Sequence, residues 1–109
     1  MTSREIYEGL KSLGFPVAYS HFAEGNVPKT PFITYHFPGT DNFSADGIVY
    51  QEINELDIEL YSNKKDLEAE NAIADWLMSK GLFYEKQEYY IESEKWIQVI
   101  YEVSLLGGK

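Results

Sequence analysis

The sequence predicts an α+β domain, in which two helices pack on one face of a mainly antiparallel sheet in the order α-β-β-β-β-α-β-β. Three observations predict it: an amphipathic segment with helix-cap residues at the N-terminus, several strand-like segments in the middle, and a second helical segment followed by two further strands. At 109 residues the chain is expected to form a single domain, residues 1–109, because a split would leave pieces too small to bury a core.

The first predicted helix begins at a capping box. In the segment TSRE, the Thr2 hydroxyl and the Glu5 carboxylate are each placed to accept a hydrogen bond from a free backbone N–H. Apolar residues then recur at helical spacing until Gly14, which favours the end of the helix. They are Ile6, Leu10 and Leu13. A short extended stretch follows at residues 17–22.

The central part of the chain reads as strands. The segment PFITYHF, from Pro31, combines β-branched and aromatic residues and is followed by a Pro-Gly pair. The next two strand-like segments, NFSA and IVYQ, flank Asp46-Gly47, a dipeptide that suits the type I′ turn of a hairpin.

The segment ELDIELY has the clearest strand pattern in the chain, because apolar and acidic residues alternate along it. Leu56, Ile58 and Leu60 face one way and are expected in the core. The acidic residues that face the other way are Glu55, Asp57 and Glu59.

A second helix is predicted from Asn63 or Asp66 to Lys80, and Gly81 favours its end. Its expected buried stripe is Leu67, Ile73, Ala74 and Leu77. Glu70 falls within the same arc, and we expect it to lie near the helix end and to reach water.

The last two predicted strands, at about residues 83–91 and 96–105, are joined by ESEK, which is typical of a hairpin turn. One face of the second strand should enter the core; it carries Ile97, Val99, Tyr101, Val103 and Leu105. The apolar residues on its other face are Trp96, Ile100 and Leu106. A sheet with helices on one face should be mostly polar on the other, so this second group favours cover by another element or by another subunit.

Composition excludes several classes of protein. The formal net charge is −9, from 18 acidic and 9 basic residues, which argues against tight binding to a phosphate backbone. The chain has no cysteine, so it can form no disulfide or thiolate site. No apolar run approaches the roughly 20 residues that span a bilayer, and the first residues lack the basic-then-apolar order of a secretion signal.

Residues 41–47, DNFSADG, contain side chains that a metal or catalytic loop could use, but at unsuitable spacing. A calcium loop needs oxygen ligands at close alternating positions, whereas hydrophobic residues interrupt Asp41 and Asp46. A triad of Ser44, His36 and Asp41 has no recognisable oxyanion donor or nucleophile elbow. We therefore predict no catalytic, metal-binding or cofactor-binding residues, and a protein that is not an enzyme.

Two features indicate an interaction surface. The acidic stripe of the central strand is either a plain solvent face or a surface that lines a wet channel or meets a basic partner. The apolar residues on the second face of the last strand are covered either within the chain or by a subunit. The candidate interface residues are Trp96, Ile100, Leu106, Glu55, Asp57 and Glu59.

Several segments follow one another along the chain in an order that supports a family resemblance. They are the proline before FITYHF, then TDNFSADG, then ELYSNKKD, then the final hairpin with YEK, YIESEK and QVIYE. In that order, from about Gly14 to Val103, the chain resembles small structural proteins from the neck and tail gene cluster of long-tailed phages and prophages of Gram-positive bacteria. Within that cluster it is similar to tail terminator, or tail completion, proteins. The family has no catalytic motif, so the resemblance implies no catalytic residue.

The resemblance implies a virion protein, assembled in the host cytoplasm, that forms a ring, commonly hexameric. Such a ring caps the finished tail tube and then meets the head connector. We hypothesise that the apolar patch makes a subunit or tail contact and that acidic faces line or flank the lumen, where DNA would pass without sticking. Head-closure and adaptor proteins of the same cluster are also small and acidic, and those roles stay open.

Two other classes also stay open. One is an acidic binding module, such as an inhibitor, an immunity protein or a DNA mimic, which would use the charges of Glu55, Asp57 and Glu59. The other is a small hydrolase built around His36 and nearby acids.

Overall fold

The computed structural model describes the backbone of residues 1–40, 43–45, 48–51 and 53–106, and the side chains of residues 1–40 and 54–105. It contains two helices and seven strands in these ranges. In chain order they are α1 (Ser3–Lys11), β1 (Val17–Tyr19), β2 (Phe32–His36), β3 (Phe43–Ala45), β4 (Ile48–Gln51), β5 (Ile53–Ser62), α2 (Leu67–Ser79), β6 (Tyr84–Ile91) and β7 (Trp96–Leu106). The predicted α+β class is confirmed, and the extended stretch at residues 17–22 contains the short strand β1.

The main sheet has five strands in the order β1-β2-β5-β7-β6. Strand β1 is parallel to β2, and the other neighbours are antiparallel. Strands β3 and β4 pair with each other as a separate hairpin, with Ala45 opposite Ile48. The predicted turn residues Asp46 and Gly47, and Asp41 before them, lie outside the described residues.

Both helices begin as the sequence predicts. The Glu5 N–H donates to the Thr2 hydroxyl at 3.2 Å and the Thr2 N–H donates to the Glu5 carboxylate at 2.9 Å, which completes the capping box of α1. In α2 the Asp66 carboxylate caps the helix by accepting from the Ala69 N–H at 3.0 Å. After the C-cap of α2, Gly81 adopts a positive φ of 69°, a conformation that glycine accepts at little cost.

The core lies between the helices and one face of the sheet. Leu56, Ile58 and Leu60 of β5 are buried there, as their alternation predicts. Strand β7 contributes its own alternate apolar residues, and the helices contribute theirs. The fully buried partners include Ile6, Leu10, Ile73, Leu77, Val99, Tyr101 and Val103. Full burial of each large side chain contributes about 1.5–3 kcal/mol, so this layer is the main source of stability.

The predicted stripe of α2 is wrong at Leu67, whose side chain is 61% exposed. Helical side chains lean toward the N-terminus, so a residue in the first position projects past the helix end and away from the sheet. Trp76, absent from the predicted stripe, is buried because it packs against α1 at Gly9. A Cβ at Gly9 would overlap the Trp76 ring, so this close approach of the helices requires glycine.

Glu70 does not reach water, contrary to the prediction, and its side chain is only 1% exposed. Lys65 Nζ lies 2.7 Å from one carboxylate oxygen of Glu70, and Lys86 Nζ lies 2.9 Å from the other. The Glu70 backbone carbonyl also accepts a hydrogen bond of 2.7 Å from the Tyr101 hydroxyl. The carboxylate can be buried because two cations, one before the helix and one on β6, supply the partners that water would otherwise provide.

This pairing decides the ionisation of Glu70. Burial alone raises the pKa of its carboxyl group, but the hydrogen bonds and charges of Lys65 and Lys86 outweigh burial and hold that pKa below its ordinary value. Burial, reinforced by the charge of Glu70, raises the pKa of Tyr101. Tyr101 therefore remains a neutral phenol that donates to the Glu70 carbonyl.

We expect the substitution Glu70→Gln to lower the free energy of unfolding at neutral pH by about 1–3 kcal/mol, because the neutral amide can accept from only one of the two lysines and turns an NH2 group toward the other. The folded-state pKa of Glu70 lies below the ordinary value of 4.5. Its stabilising contribution is therefore complete above that value and is lost as the pH falls through the lower, folded-state pKa. Urea unfolding at neutral pH and at about pH 3 measures the difference between wild type and variant, which should shrink at the lower pH.

The matched control is Glu68→Gln, an exposed residue on the same helix, which should change stability by less than about 0.5 kcal/mol. A loss for Glu70→Gln that is as large at low pH as at neutral pH would contradict the ion-pair account.

Candidate interaction surface on the outer face of the sheet

The sheet has a second face, opposite the helices, which we call the outer face. It is formed by the strand positions that alternate with those facing the helices. The register of neighbouring strands shows which of these positions lie side by side in a row. One such row contains Thr34, Glu59, Ile100 and Gln87. The next row contains His36, Asp57, Glu102 and Glu85.

The second row brings three carboxylates side by side. Asp57 on β5 lies opposite Glu102 on β7, and Glu102 lies opposite Glu85 on β6. Directly opposed residues of antiparallel strands are about 4.5–5.5 Å apart at Cα, and like charges at that separation destabilise a sheet. Glu55, opposite Ser104, extends the acidic area toward the end of the strands. We call these four side chains, Glu55, Asp57, Glu85 and Glu102, the acidic cluster.

The three acidic residues of the predicted stripe therefore lie on one face of the sheet. Glu59 differs from the other two because it is largely buried and hydrogen-bonded. Glu59 is only 13% exposed and is held by hydrogen bonds from Thr34 Oγ1 at 2.8 Å and Gln98 Nε2 at 3.3 Å. Gln98 also donates to the Tyr61 hydroxyl at 2.9 Å. Burial, and secondarily the charge of Glu59, raises the pKa of Tyr61 above its ordinary value. Glu59 thus belongs to an internal polar network of the outer face.

His36 lies between two of these carboxylates. Its Nε2 is 3.6 Å from Asp57 and its Nδ1 is 3.5 Å from Glu59. The alternative triad with Ser44 and Asp41 cannot be traced, because Asp41 and the Ser44 side chain lie outside the described residues. Within the described part of the chain, no group of three or more histidine, aspartate and glutamate side chains has the geometry to hold a metal ion.

Trp96 is covered by residues of its own chain. Its ring lies 5.3 Å from that of Phe32 and 5.9 Å from that of Tyr61, centroid to centroid. Phe32 and Tyr61 stack on each other at 5.0 Å, and Phe22 from the preceding loop packs on the edge of Phe32 at 5.3 Å. Of the two kinds of cover that the sequence leaves open for Trp96, the structure provides the one within the chain.

The other two apolar candidates of β7 differ from Trp96. Ile100 is half-buried between Glu59 of β5 and Gln87 of β6. Leu106 is the last residue of β7, and its side chain lies outside the described residues. Trp96, Ile100 and Leu106 are thus placed on one face of one strand, and nothing described joins them into a continuous apolar patch.

Sequence reasoning missed two features of this region. Glu85 and Glu102 complete the acidic cluster, but their proximity to Asp57 depends on a strand register that no single strand reveals. Phe83 lies just before β6 and is 93% exposed, which makes it the most exposed large hydrophobic residue described. It borders a groove of about 930 Å³ that three members of the acidic cluster also line. A signal was available in the sequence: a phenylalanine two residues after the helix-ending Gly81, at the boundary between the predicted helix and the predicted strand.

No protein-family model matches the chain, and no curated protein matches it. A solved structure does match: a chain in the structure described as "Virion of native gene transfer agent (GTA) particle" has a TM-score of 0.56 to this chain. The similarity covers 90% of this chain and 84% of that chain, at 14% sequence identity. At that identity the likeness shows a shared fold. In the described residues no helix has both the length and the apolar character needed to cross a membrane.

The acidic cluster predicts an unusual response to the loss of a charge. We expect Glu102→Gln to raise the free energy of unfolding by about 0.3–1 kcal/mol at low salt, because the central charge of three is removed. The glutamine oxygen can still accept the 3.1 Å hydrogen bond from Gln87 Nε2. The gain should shrink in about 1 M salt, where screening acts within about 3 Å. Chemical unfolding at the two salt concentrations measures it.

Glu94→Gln, in the exposed turn between β6 and β7, is the control for a simple reduction of net charge. A loss of stability for Glu102→Gln at low salt would contradict the repulsion argument, since it would mean that the fold requires this carboxylate.

Proposed function

We propose that this chain is a structural protein of a phage or prophage virion and acts in the head–tail joining region. The observation that supports this proposal best is the fold that the chain shares, over 90% of its length, with a chain of a gene transfer agent virion particle. The resemblance of its ordered sequence segments to neck and tail proteins points to the same class independently of the fold.

The more specific role that we propose is that of a tail terminator, or tail completion, protein. In that role several copies, six in a hexamer, form a ring. The ring caps the tail tube and meets the head connector or neck protein. Head-to-tail contacts between copies of a chain close into a ring when the rotation between neighbours is suitable.

The outer face has a chemistry that suits the lumen of such a ring. It carries the four carboxylates of the acidic cluster and Glu59, and no lysine or arginine lies in the rows that these residues form on the described strands. A basic surface would bind passing DNA by displacing its counterions, whereas an acidic surface repels the phosphates. We infer that DNA moves past this face without being held, and that the protein works through its surfaces and performs no reaction.

One observation favours a second function. The row Asp57, Glu102 and Glu85 presents closely spaced negative charges on a rigid sheet, which would also suit an acidic binding module that blocks a basic protein. The two functions differ in stoichiometry: a blocking module binds one basic partner tightly, whereas a terminator assembles in several copies at one end of a tube.

Assembly tests the proposed function directly. We expect the purified protein, mixed with capless tail tubes of the phage that carries this gene, to bind one end of each tube as several copies. Electron microscopy should show the cap, and native mass measurement of the released caps should give a multiple of the 12.6 kDa chain. The free protein can be a monomer, because a ring can close on the tube.

Tubes with preformed caps are the control and should bind no further protein. Failure to bind any tube end, together with tight one-to-one binding to a basic protein, would contradict the terminator role and support the blocking module.

A further inference from the structure

Strand β6 is an edge that the described structure leaves open. It lies at the end of the strand order, pairs with β7 on one side, and has no strand on its other side among the described residues. The register with β7 runs from Tyr84 to Ile91 without a shift, so the edge is regular over eight residues. Edge strands present unpaired N–H and C=O groups to any chain that can align with them.

Protection of this edge is partial. Proteins commonly guard an edge with proline, with a bulge or with charged side chains, including ones that point inward; β6 has no proline and no register shift, and its charged residues are Glu85, Lys86 and Glu88. Its one lysine, Lys86, is committed to the buried Glu70 on the helix side of the sheet. Lys65, which also pairs with Glu70, lies 2.6 Å from Glu88, so among the described residues Glu85 is the charged side chain of β6 that forms no ion pair.

An apolar site lies at the start of the same edge. Phe83 is almost fully exposed and stands between two hollows. The larger is the groove of about 930 Å³, where Leu82 and Leu105 lie near Glu55, Glu85 and Glu102. The smaller, of about 430 Å³, is lined by Met78 and Leu82. A segment that runs along β6 and past Phe83 would therefore meet apolar surface and carboxylates together.

We propose that β6 binds an extended segment of another protein by strand addition, with an apolar side chain of that segment packed on Phe83 and its basic side chains paired with Glu85 and Glu102. Backbone hydrogen bonds to β6 would give the affinity, and the groove would select the side chains. Charge complementarity identifies the occupant: the groove is lined by three carboxylates and one lysine, Lys80, and the chain carries a net charge of −9, so a basic segment fits it better than a second copy does. This inference goes beyond the proposed terminator role and does not require it.

The probe is a blocked, fluorescently labelled peptide in which two lysines and a phenylalanine occupy alternate positions and threonine occupies the others. Fluorescence anisotropy with the full chain measures its binding. Two further peptides separate the parts of the proposal: one with glutamate in place of lysine, and one with N-methyl groups on every backbone amide, which has no N–H left to donate to a neighbouring strand. Both should bind much more weakly than the probe.

Two substitutions test the site on the protein. Phe83→Ala should weaken binding of the probe by about ten-fold or more, because an apolar contact of phenylalanine size is lost. Glu85→Gln should weaken it by about three-fold and reduce its salt dependence, as expected for one cross-strand charge pair. The controls are Leu67→Ala, another exposed apolar residue, on α2, and Glu94→Gln in the turn after β6; each should leave binding within about two-fold.

Three results would overturn the proposal. Equal binding of the N-methylated peptide would exclude strand addition, and equal losses for Phe83→Ala and Leu67→Ala would show that the peptide adheres without a site. Self-association of the chain that Phe83→Ala abolishes, with no binding of the probe, would identify a second copy as the occupant. None of these results depends on tail tubes, so failure here is distinct from failure of the terminator role.

Discussion

The antiparallel pairing of β5 with β7 is the interaction on which the rest of the structure depends. It joins ten residue pairs, from Ile53 opposite Leu106 to Ser62 opposite Ile97. Because side chains alternate along a strand, this one register decides which residues of both strands meet the helices and which form the outer face. A slip of β5 by one residue against β7 would expose Ile58 and turn Asp57 toward the helices, so the buried face strongly specifies the register.

The distribution of charged side chains over β5, β7 and the neighbouring β6 explains why the outer face is acidic. The lysine of β6 points to the helix side, where it neutralises the buried Glu70 together with Lys65. No cation of β6 is then left to offset the row that Asp57 and Glu102 form with Glu85. Stability on one side of the sheet and repulsion on the other therefore have a common origin in how three neighbouring strands distribute their charges. A surface that stays acidic at a cost in stability indicates a functional role for its charge. Both proposed functions, a ring lumen and a blocking module, give it one.

Much of the fold can be predicted from local patterns, because the signals are short. The capping box at Thr2 and Glu5, the glycine after α2 and the alternation of β5 each depend on residues within a few positions of one another. The structure departs from prediction where partners come from far along the chain. Glu70 is buried because Lys86 lies on β6, and Trp96 is covered because Phe32 lies two strands away in the sheet.

For the candidate surface too, local patterns were predictable from the sequence and contacts between distant segments were not. The three acids of β5 could be assigned to one face from alternation alone, whereas their extension through Glu102 and Glu85 needed the register, and the separate role of Glu59 needed Thr34 and Gln98. Phe83 stands at the start of the predicted last-but-one strand, but its degree of exposure depends on where α2 ends and β6 begins, which the structure fixes.

We propose that the β5–β7 pair divides the molecule into a helix-covered face that holds the fold together and an acidic face along which DNA moves. An electron cryomicroscopy map of the protein at the end of a tail tube tests this claim most directly. The account predicts a closed ring in which Asp57 and Glu102 face the channel and α1 and α2 face outward. A ring with the helices toward the channel, or with the acidic face buried against the tube protein, would contradict it.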